Sequence, residues 1–128
     1  MEHKLRRIMC VDDEFDVLDI TKECLETVGG FNVTCCSSGA EMFSRLKETC
    51  PDLILLDVMM PGMDGLKVLE EIQKSPEFSH VPVVFMTARV QPKELEEYKR
   101  LGSKAAIPKP FDPMQLSAQV EEIWLKYA

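Results

Sequence analysis

Along the chain, short runs of consecutive apolar residues alternate with longer segments whose apolar positions recur every three or four residues. The strands they mark are about Leu5 to Val11, with Ile8, Met9, Cys10 and Val11 as its apolar end, Phe31 to Cys35, Asp52 to Leu56, Val81 to Met86 and a short one at Ala105 to Ile107. The runs are continuous rather than alternating, so each predicts a strand covered on both faces. Between them the period is helical. From about Glu14, the residues Val17, Leu18, Thr21, Leu25 and Val28 fall on one side, and Gly29-Gly30 supplies C-capping chemistry. Ser37 and Ser38 are N-cap candidates for a second helix with Ala40, Phe43 and Leu46 at helical spacing. A third helix opens at Gly65 and carries Leu66, Leu69 and Ile72. The stretch "QPKELEEYKRLG" predicts a charged, exposed helix with Pro92 near its start and Gly102 at its end. The last helix follows "FDPM", with Pro113 in its first turn and Leu116, Val120, Ile123, Trp124 and Tyr127 along one face.

Five β-α units in a row predict an α/β fold, a parallel sheet with helices on both faces. Right-handed crossovers leave few topologies, of which the flavodoxin-like strand order 2-1-3-4-5 suits five units best. A length of 128 residues, 45% of them hydrophobic, fits one domain over residues 1–128, without repeats or linkers. No stretch approaches the roughly 20 apolar residues of a membrane helix. The N-terminal "MEHKLRRIMCVDDE" lacks the apolar core and cleavage site of a signal peptide, so a cytoplasmic location is expected. Five cysteines without a C-x-x-C spacing, and two histidines, argue against zinc and for free, mostly buried thiols. The formal net charge of −7 disfavours direct binding to nucleic acid.

In such a sheet, chemistry sits beyond the carboxyl ends of the strands, beside the switch point between strands one and three. Strand one ends in Asp12 and Asp13, strand three in Asp57, strand four in Thr87 and strand five in Lys109. Alone, each has a plain reading: an aspartate after a strand caps a helix or starts a turn, and a lysine is solvated. Their convergence on one edge weighs the other way. Three carboxylates packed together repel, which a divalent cation relieves. An all-oxygen set without histidine or thiolate favours Mg²⁺, with Lys109 as a second cation and Thr87 as a hydrogen-bonding hydroxyl. Such a constellation can stabilise a phosphoryl group in flight, with Asp57 as nucleophile.

"VDDE", "LLDVMMPGMDG", "TA" and "KPF", each after its own strand, resemble the receiver domain of two-component response regulators. The similarity covers nearly the whole chain, and four motifs in the right order make it specific. It implies that Asp57 accepts a phosphoryl group from the phosphohistidine of a sensor histidine kinase or histidine phosphotransfer protein. It further implies that Asp12, Asp13, Asp57 and the backbone carbonyl of Met59 hold Mg²⁺, and that Thr87 and Lys109 meet the phosphoryl group. Pro61 and Gly62 would shape the loop, and the Lys109-Pro110 bond would be cis. The domain would catalyse only its own phosphorylation and dephosphorylation. It would signal to a protein partner through helix 4, strand 5 and helix 5, as a monomer or a weak dimer through that face. One departure is Ala106, where the family often carries an aromatic switch residue; signalling would then rest more on Thr87 and the helix near Glu94 to Arg100. Met59 and Arg89, beside the site, offer no acid or amide to activate water, so a phosphoryl lifetime that is not especially short is expected.

Three alternatives use the same ingredients. A small phosphatase of the haloacid dehalogenase type would carry a second aspartate two residues after its nucleophile, where Met59 stands here. A receiver that has lost phosphorylation would lack one of the acids or the lysine, and all are present. The Met1 start and compact ends favour a stand-alone receiver over a piece of a larger regulator or hybrid kinase.

Overall fold

The computed structural model describes residues 4–60 and 64–127. In chain order the elements are β1 (Arg7–Val11), α1 (Phe15–Thr27), β2 (Asn32–Cys36), α2 (Gly39–Thr49), β3 (Leu53–Asp57), α3 (Gly65–Lys74), β4 (Val83–Thr87), α4 (Pro92–Leu101), β5 (Ala105–Pro108) and α5 (Leu116–Tyr127). The strands form one parallel sheet in the order β2-β1-β3-β4-β5. This is the α/β order expected from the pattern. Because both faces are covered, successive residues of a strand enter different cores. Ile8, Cys10, Leu53 and Leu55 join Leu18 and Leu25 of α1 and Leu116 and Val120 of α5. Met9, Val11, Ile54 and Leu56 join Met42 and Leu46 of α2, Val68, Leu69 and Ile72 of α3, and Tyr98 of α4. Each fully buried aliphatic side chain contributes about 1.5–3 kcal/mol relative to exposure, and the buried hydroxyls of Thr21 on α1 and Ser117 on α5 donate to the carbonyls of Val17 and Cys24.

Several boundaries and faces differ from the sequence reading, each for a local reason. Strand β1 starts at Arg7 rather than Leu5, and Asp52 lies outside β3. The Asp52 carboxylate accepts from the N–H groups of Arg6 and Arg7, both at 2.9 Å, so a side chain satisfies the entry to β1. Strand β2 runs one residue later than expected, from Asn32 to Cys36. Strand β4 starts at Val83 rather than Val81, because Pro82 has no N–H to give and contributes only its carbonyl, to Ile54. In α2 the inward residue is Met42, and Ala40 is exposed. Val28 and Tyr127 are likewise exposed. Pro113 precedes α5: the carbonyl of Asp112 accepts from Gln115 and Leu116, and its carboxylate from the N–H of Met114, making a turn ahead of the helix. Pro61 and Gly62, expected to shape the loop after β3, lie outside the described residues. Among the described residues, no helix is long and apolar enough to cross a membrane. All five cysteines are free, with Cys10, Cys24 and Cys36 buried, Cys35 half-buried and Cys50 exposed.

Three helix ends reach the left-handed region, at Gly30 after α1, Cys50 after α2 and Gly102 after α4, and the first two differ in suitability. After α1, Gly30 (φ 71°) donates to the Glu26 carbonyl and Phe31 to that of Leu25, the pairing that closes orphan carbonyls. After α2 the same region is occupied by Cys50 (φ 45°), which has a Cβ to accommodate. A Cβ at Gly30 would meet nothing within 4 Å, so the cost there is backbone conformation alone. Gly30→Ala is expected to destabilise, and Cys50→Gly to stabilise, by about 0.5–1 kcal/mol each. Urea unfolding midpoints at unchanged m-value check both signs.

Candidate functional site: a carboxylate cluster at the strand ends

Parallel pairing brings the C-terminal ends of all the strands to one edge. Strand β1 separates β2 from β3, so the crossovers leave a crevice above β1 and β3. Asp12 follows β1, and Asp57 is the last residue of β3 beside it. Thr87 ends β4, and Lys109 follows β5, its N–H donating to the Thr87 carbonyl at 2.9 Å. The Lys109-Pro110 bond is cis, as expected.

Three of these side chains are fixed by the same device. Asp12 Oδ1 accepts from the N–H of Glu14 at 3.0 Å, Asp57 Oδ1 from Met59 at 3.3 Å, and Thr87 Oγ1 from Arg89 at 3.0 Å. Each oxygen thus holds the amide two residues on, where the strand gives way to its loop. The turn role and a chemical role coexist in one residue: the turn bond orients the side chain, and the remaining oxygen lone pairs stay available.

The charges are packed together and buried. Asp12, Asp57 and Thr87 are 4%, 5% and 2% exposed, which removes most of the water that would solvate two carboxylates. Oxygens of Asp12, Asp13 and Asp57 all lie within 4.8 Å of one another. Against three carboxylates stands the ammonium of Lys109, 2.5 Å from Asp12 Oδ2 and 3.5 Å from Asp57 Oδ1. Burial and then the charge of Asp12 push the Asp57 carboxyl up to about 6, outweighing Lys109 and the Met59 N–H. Burial alone would lower the Lys109 ammonium, but its bond to Asp12 and the charges of Asp12 and Asp57 raise it. The donor set is oxygen only, rich in carboxylate and short of positive charge. Those properties fit a hard divalent cation such as Mg²⁺.

Every side chain expected at the site is therefore brought to this edge. Met59 contributes its N–H to Asp57, while its side chain is 59% exposed. One residue has a larger part than the sequence suggested. A Cβ on Gly65 would lie 2.3 Å from the Asp57 carbonyl oxygen and 2.7 Å from Val58 Cα. The N–H of Gly65 donates to the Val58 carbonyl at 2.8 Å. The first residue of α3 thus rests directly on the backbone that carries Asp57, which only glycine permits. The signal in the sequence was a glycine at the first helical position, immediately after an aspartate N-cap, Asp64.

Residues 8–121 match the family model described as the response regulator receiver domain. This chain belongs to that family. The receiver domain is 34% identical over 116 residues to the response regulator Rre1 of Synechocystis, covering 91% of this chain and 50% of Rre1. It is 36% identical over 113 residues to the transcriptional regulatory protein YvrH of Bacillus subtilis, covering 88% of this chain and 46% of YvrH. The chain spans about half the length of the curated relatives it matches. Among solved structures, the N-terminal domain of a response regulator receiver protein from Methanoculleus marisnigri is 37% identical, with a TM-score of 0.76 over 93% of this chain and 96% of that one. The chemotaxis protein CheY4 of Vibrio cholerae superposes with a TM-score of 0.86 at 22% identity, over 94% of this chain and 99% of CheY4, a likeness of fold.

The raised Asp57 carboxyl has a consequence for stability without a cation. Below the ordinary carboxylate value of 3.8 the group is protonated folded and unfolded alike, so it contributes no difference. As pH rises toward about 6 the unfolded chain ionises first, and above that the folded state bears the full penalty. In chelator-treated protein, Asp57→Asn is expected to raise stability at about pH 7 by roughly 2–3 kcal/mol, a gain that vanishes near pH 3.5. Thermal unfolding across that range checks it; a gain independent of pH would contradict the electrostatic cause.

Proposed function

We propose that the chain, over all 128 residues, is a phosphoacceptor receiver domain whose Asp57 takes a phosphoryl group from the phosphohistidine of a sensor histidine kinase or histidine phosphotransfer protein. The observation that carries this reading is the placement of Asp57: a nearly buried carboxylate within 3.5 Å of the Lys109 ammonium and clustered with Asp12 and Asp13. Membership in the receiver family supports it.

The residues divide the work. An Asp57 carboxylate oxygen forms the new O–P bond while the N–P bond of the phosphohistidine breaks, and the imidazole departs with that electron pair. Burial of Asp57 keeps water from its carboxylate and strengthens every charge acting there. The Lys109 ammonium compensates negative charge at Asp57 and, in the phosphorylated state, at a phosphoryl oxygen. Thr87, one strand away, offers a hydroxyl to another. Asp12, Asp13, Asp57 and the Met59 carbonyl would hold Mg²⁺, which when bound supplies charge neutralisation for the phosphoryl oxygens. Met59 and Arg89, both exposed beside the site, have no group suited to activate water. The chemistry is that of a signalling domain acting on itself rather than of an enzyme turning over a substrate.

An apolar groove lined by Val17, Ile20, Ala88, Pro110, Phe111 and Pro113 adjoins Lys109, a surface on which a phosphodonor protein can sit. The output face is that of α4, β5 and α5, engaging a downstream protein target or a second copy weakly. The net charge of −7 favours protein partners over nucleic acid, in the cytoplasm.

Incubation with acetyl phosphate and Mg²⁺ is expected to label the chain with one phosphoryl group. Labelling is expected to disappear in Asp57→Asn or with a chelator, and to fall by about 10²-fold or more in rate in Lys109→Ala. Purified phosphoprotein is expected to lose its label slowly without an added phosphatase. Undiminished labelling of Asp57→Asn would refute the assignment.

A further inference from the structure

Helix α4 is attached to the domain in an unusual way. Of its residues, Pro92–Leu101, Tyr98 alone is buried, at 6% exposure; Pro92 and Leu95 are exposed, Leu101 is half-buried and the rest are charged. The Tyr98 ring meets that of Phe85 on β4 edge-on, with centroids 5.1 Å apart and planes at 73°. Its hydroxyl donates to the Arg89 carbonyl at 2.9 Å, although the residue is otherwise surrounded by the apolar core between β4, α3 and α4. The N–H of the same Arg89 donates to Thr87 Oγ1 at 3.0 Å. One residue therefore ties two groups together: the site hydroxyl through its N–H, and α4 through its carbonyl. Ala106, the register partner of Phe85 on β5, packs in the same cluster and is too small to fill that layer with a ring.

We propose that Tyr98 is a positioning residue that couples Thr87 to α4, in place of an aromatic side chain at position 106. This rests on the reading of Asp57 as the phosphoacceptor. When the Thr87 hydroxyl turns toward a phosphoryl oxygen, Arg89 loses the acceptor of its N–H. The segment between Thr87 and Pro92 then resettles, and the Arg89 carbonyl moves with it. The phenol, its ring buried and its hydroxyl bond part-buried at the edge of the core, either follows that carbonyl or loses the hydrogen bond. Since Tyr98 is the buried anchor of α4, movement of its hydroxyl moves the seat of the helix. A side chain that only filled space would need no hydroxyl there, and phenylalanine would serve as well.

Tyr98→Phe removes the hydroxyl and keeps the ring, so it tests the link without opening a cavity. The probe is beryllofluoride with Mg²⁺ as a phosphoryl mimic, read by amide spectra of the wild type and the variant, alongside acetyl phosphate labelling of both. In the wild type, the Tyr98 ring resonances and the amides of Arg89 and residues 92–101 are expected to shift on adding the mimic. In Tyr98→Phe, labelling is expected to stay within about 2-fold of wild type, while the amide shifts in 92–101 fall to roughly half or less. Equal α4 shifts in both proteins, or Tyr98 ring resonances in the wild type that ignore the mimic, would overturn the coupling while leaving Asp57 as acceptor. Absence of labelling in the wild type would instead overturn the phosphoacceptor reading itself, and the coupling with it.

Discussion

Everything at the functional edge is arranged around one electrostatic conflict: carboxylates from two neighbouring strands buried together, with a single ammonium between them. Asp12 and Asp57 lie at the ends of adjacent strands β1 and β3, so the sheet holds their backbones side by side. Lys109 relieves part of the repulsion, and it does so unequally, standing 2.5 Å from Asp12 and 3.5 Å from Asp57. The residual penalty falls on Asp57, whose carboxyl is raised to about 6. Its magnitude matters because a buried carboxylate left uncompensated costs several kcal/mol, a large share of a small domain's stability. The two apolar cores, one on each face of the sheet, hold that edge in place.

The same conflict gives the edge its chemical direction. A site short of positive charge attracts a cation, and a cation beside a carboxylate and an ammonium is suited to dianionic oxygens. Around it the backbone is tied down by small local bonds, each running from a strand-end oxygen to the amide two residues on. Those bonds are weak enough individually to be exchanged, at about 1 kcal/mol net each. The bond from the Arg89 N–H to Thr87 Oγ1 is of this exchangeable kind, which the proposed movement of the Thr87 hydroxyl requires. Gly65 is the opposite case: its approach to the Asp57 backbone leaves no room for adjustment.

The fold was legible in the sequence because continuous apolar runs and helical periods do not overlap, and because the order of five β-α units admits few topologies. The candidate site was legible because charged residues at the ends of three strands, with the Thr87 hydroxyl at a fourth, are rare enough together to carry information. What was hidden depended on contacts between elements distant in sequence. Asp52 read as the start of a strand, yet its carboxylate serves the amides of Arg6 and Arg7 from an adjacent element. Met42 and Ala40 could each have faced inward, and the geometry of the second core chose Met42. Tyr98 sits in a helix with six charged residues out of ten and an exposed Leu95 one turn before it, so the local pattern does not mark it as an anchor. Only the neighbouring Phe85, and the small Ala106 beyond it, create a place for its ring.

The central claim is that one carboxylate, and not its neighbours, becomes the acyl phosphate. Borohydride reduction of protein treated with acetyl phosphate and Mg²⁺ converts a phosphorylated aspartate to homoserine, which peptide mass spectrometry locates. Homoserine at position 57 alone is the expected result. Homoserine at position 12 or 13, or none in protein that carries the label, would contradict the assignment of Asp57 as the phosphoacceptor.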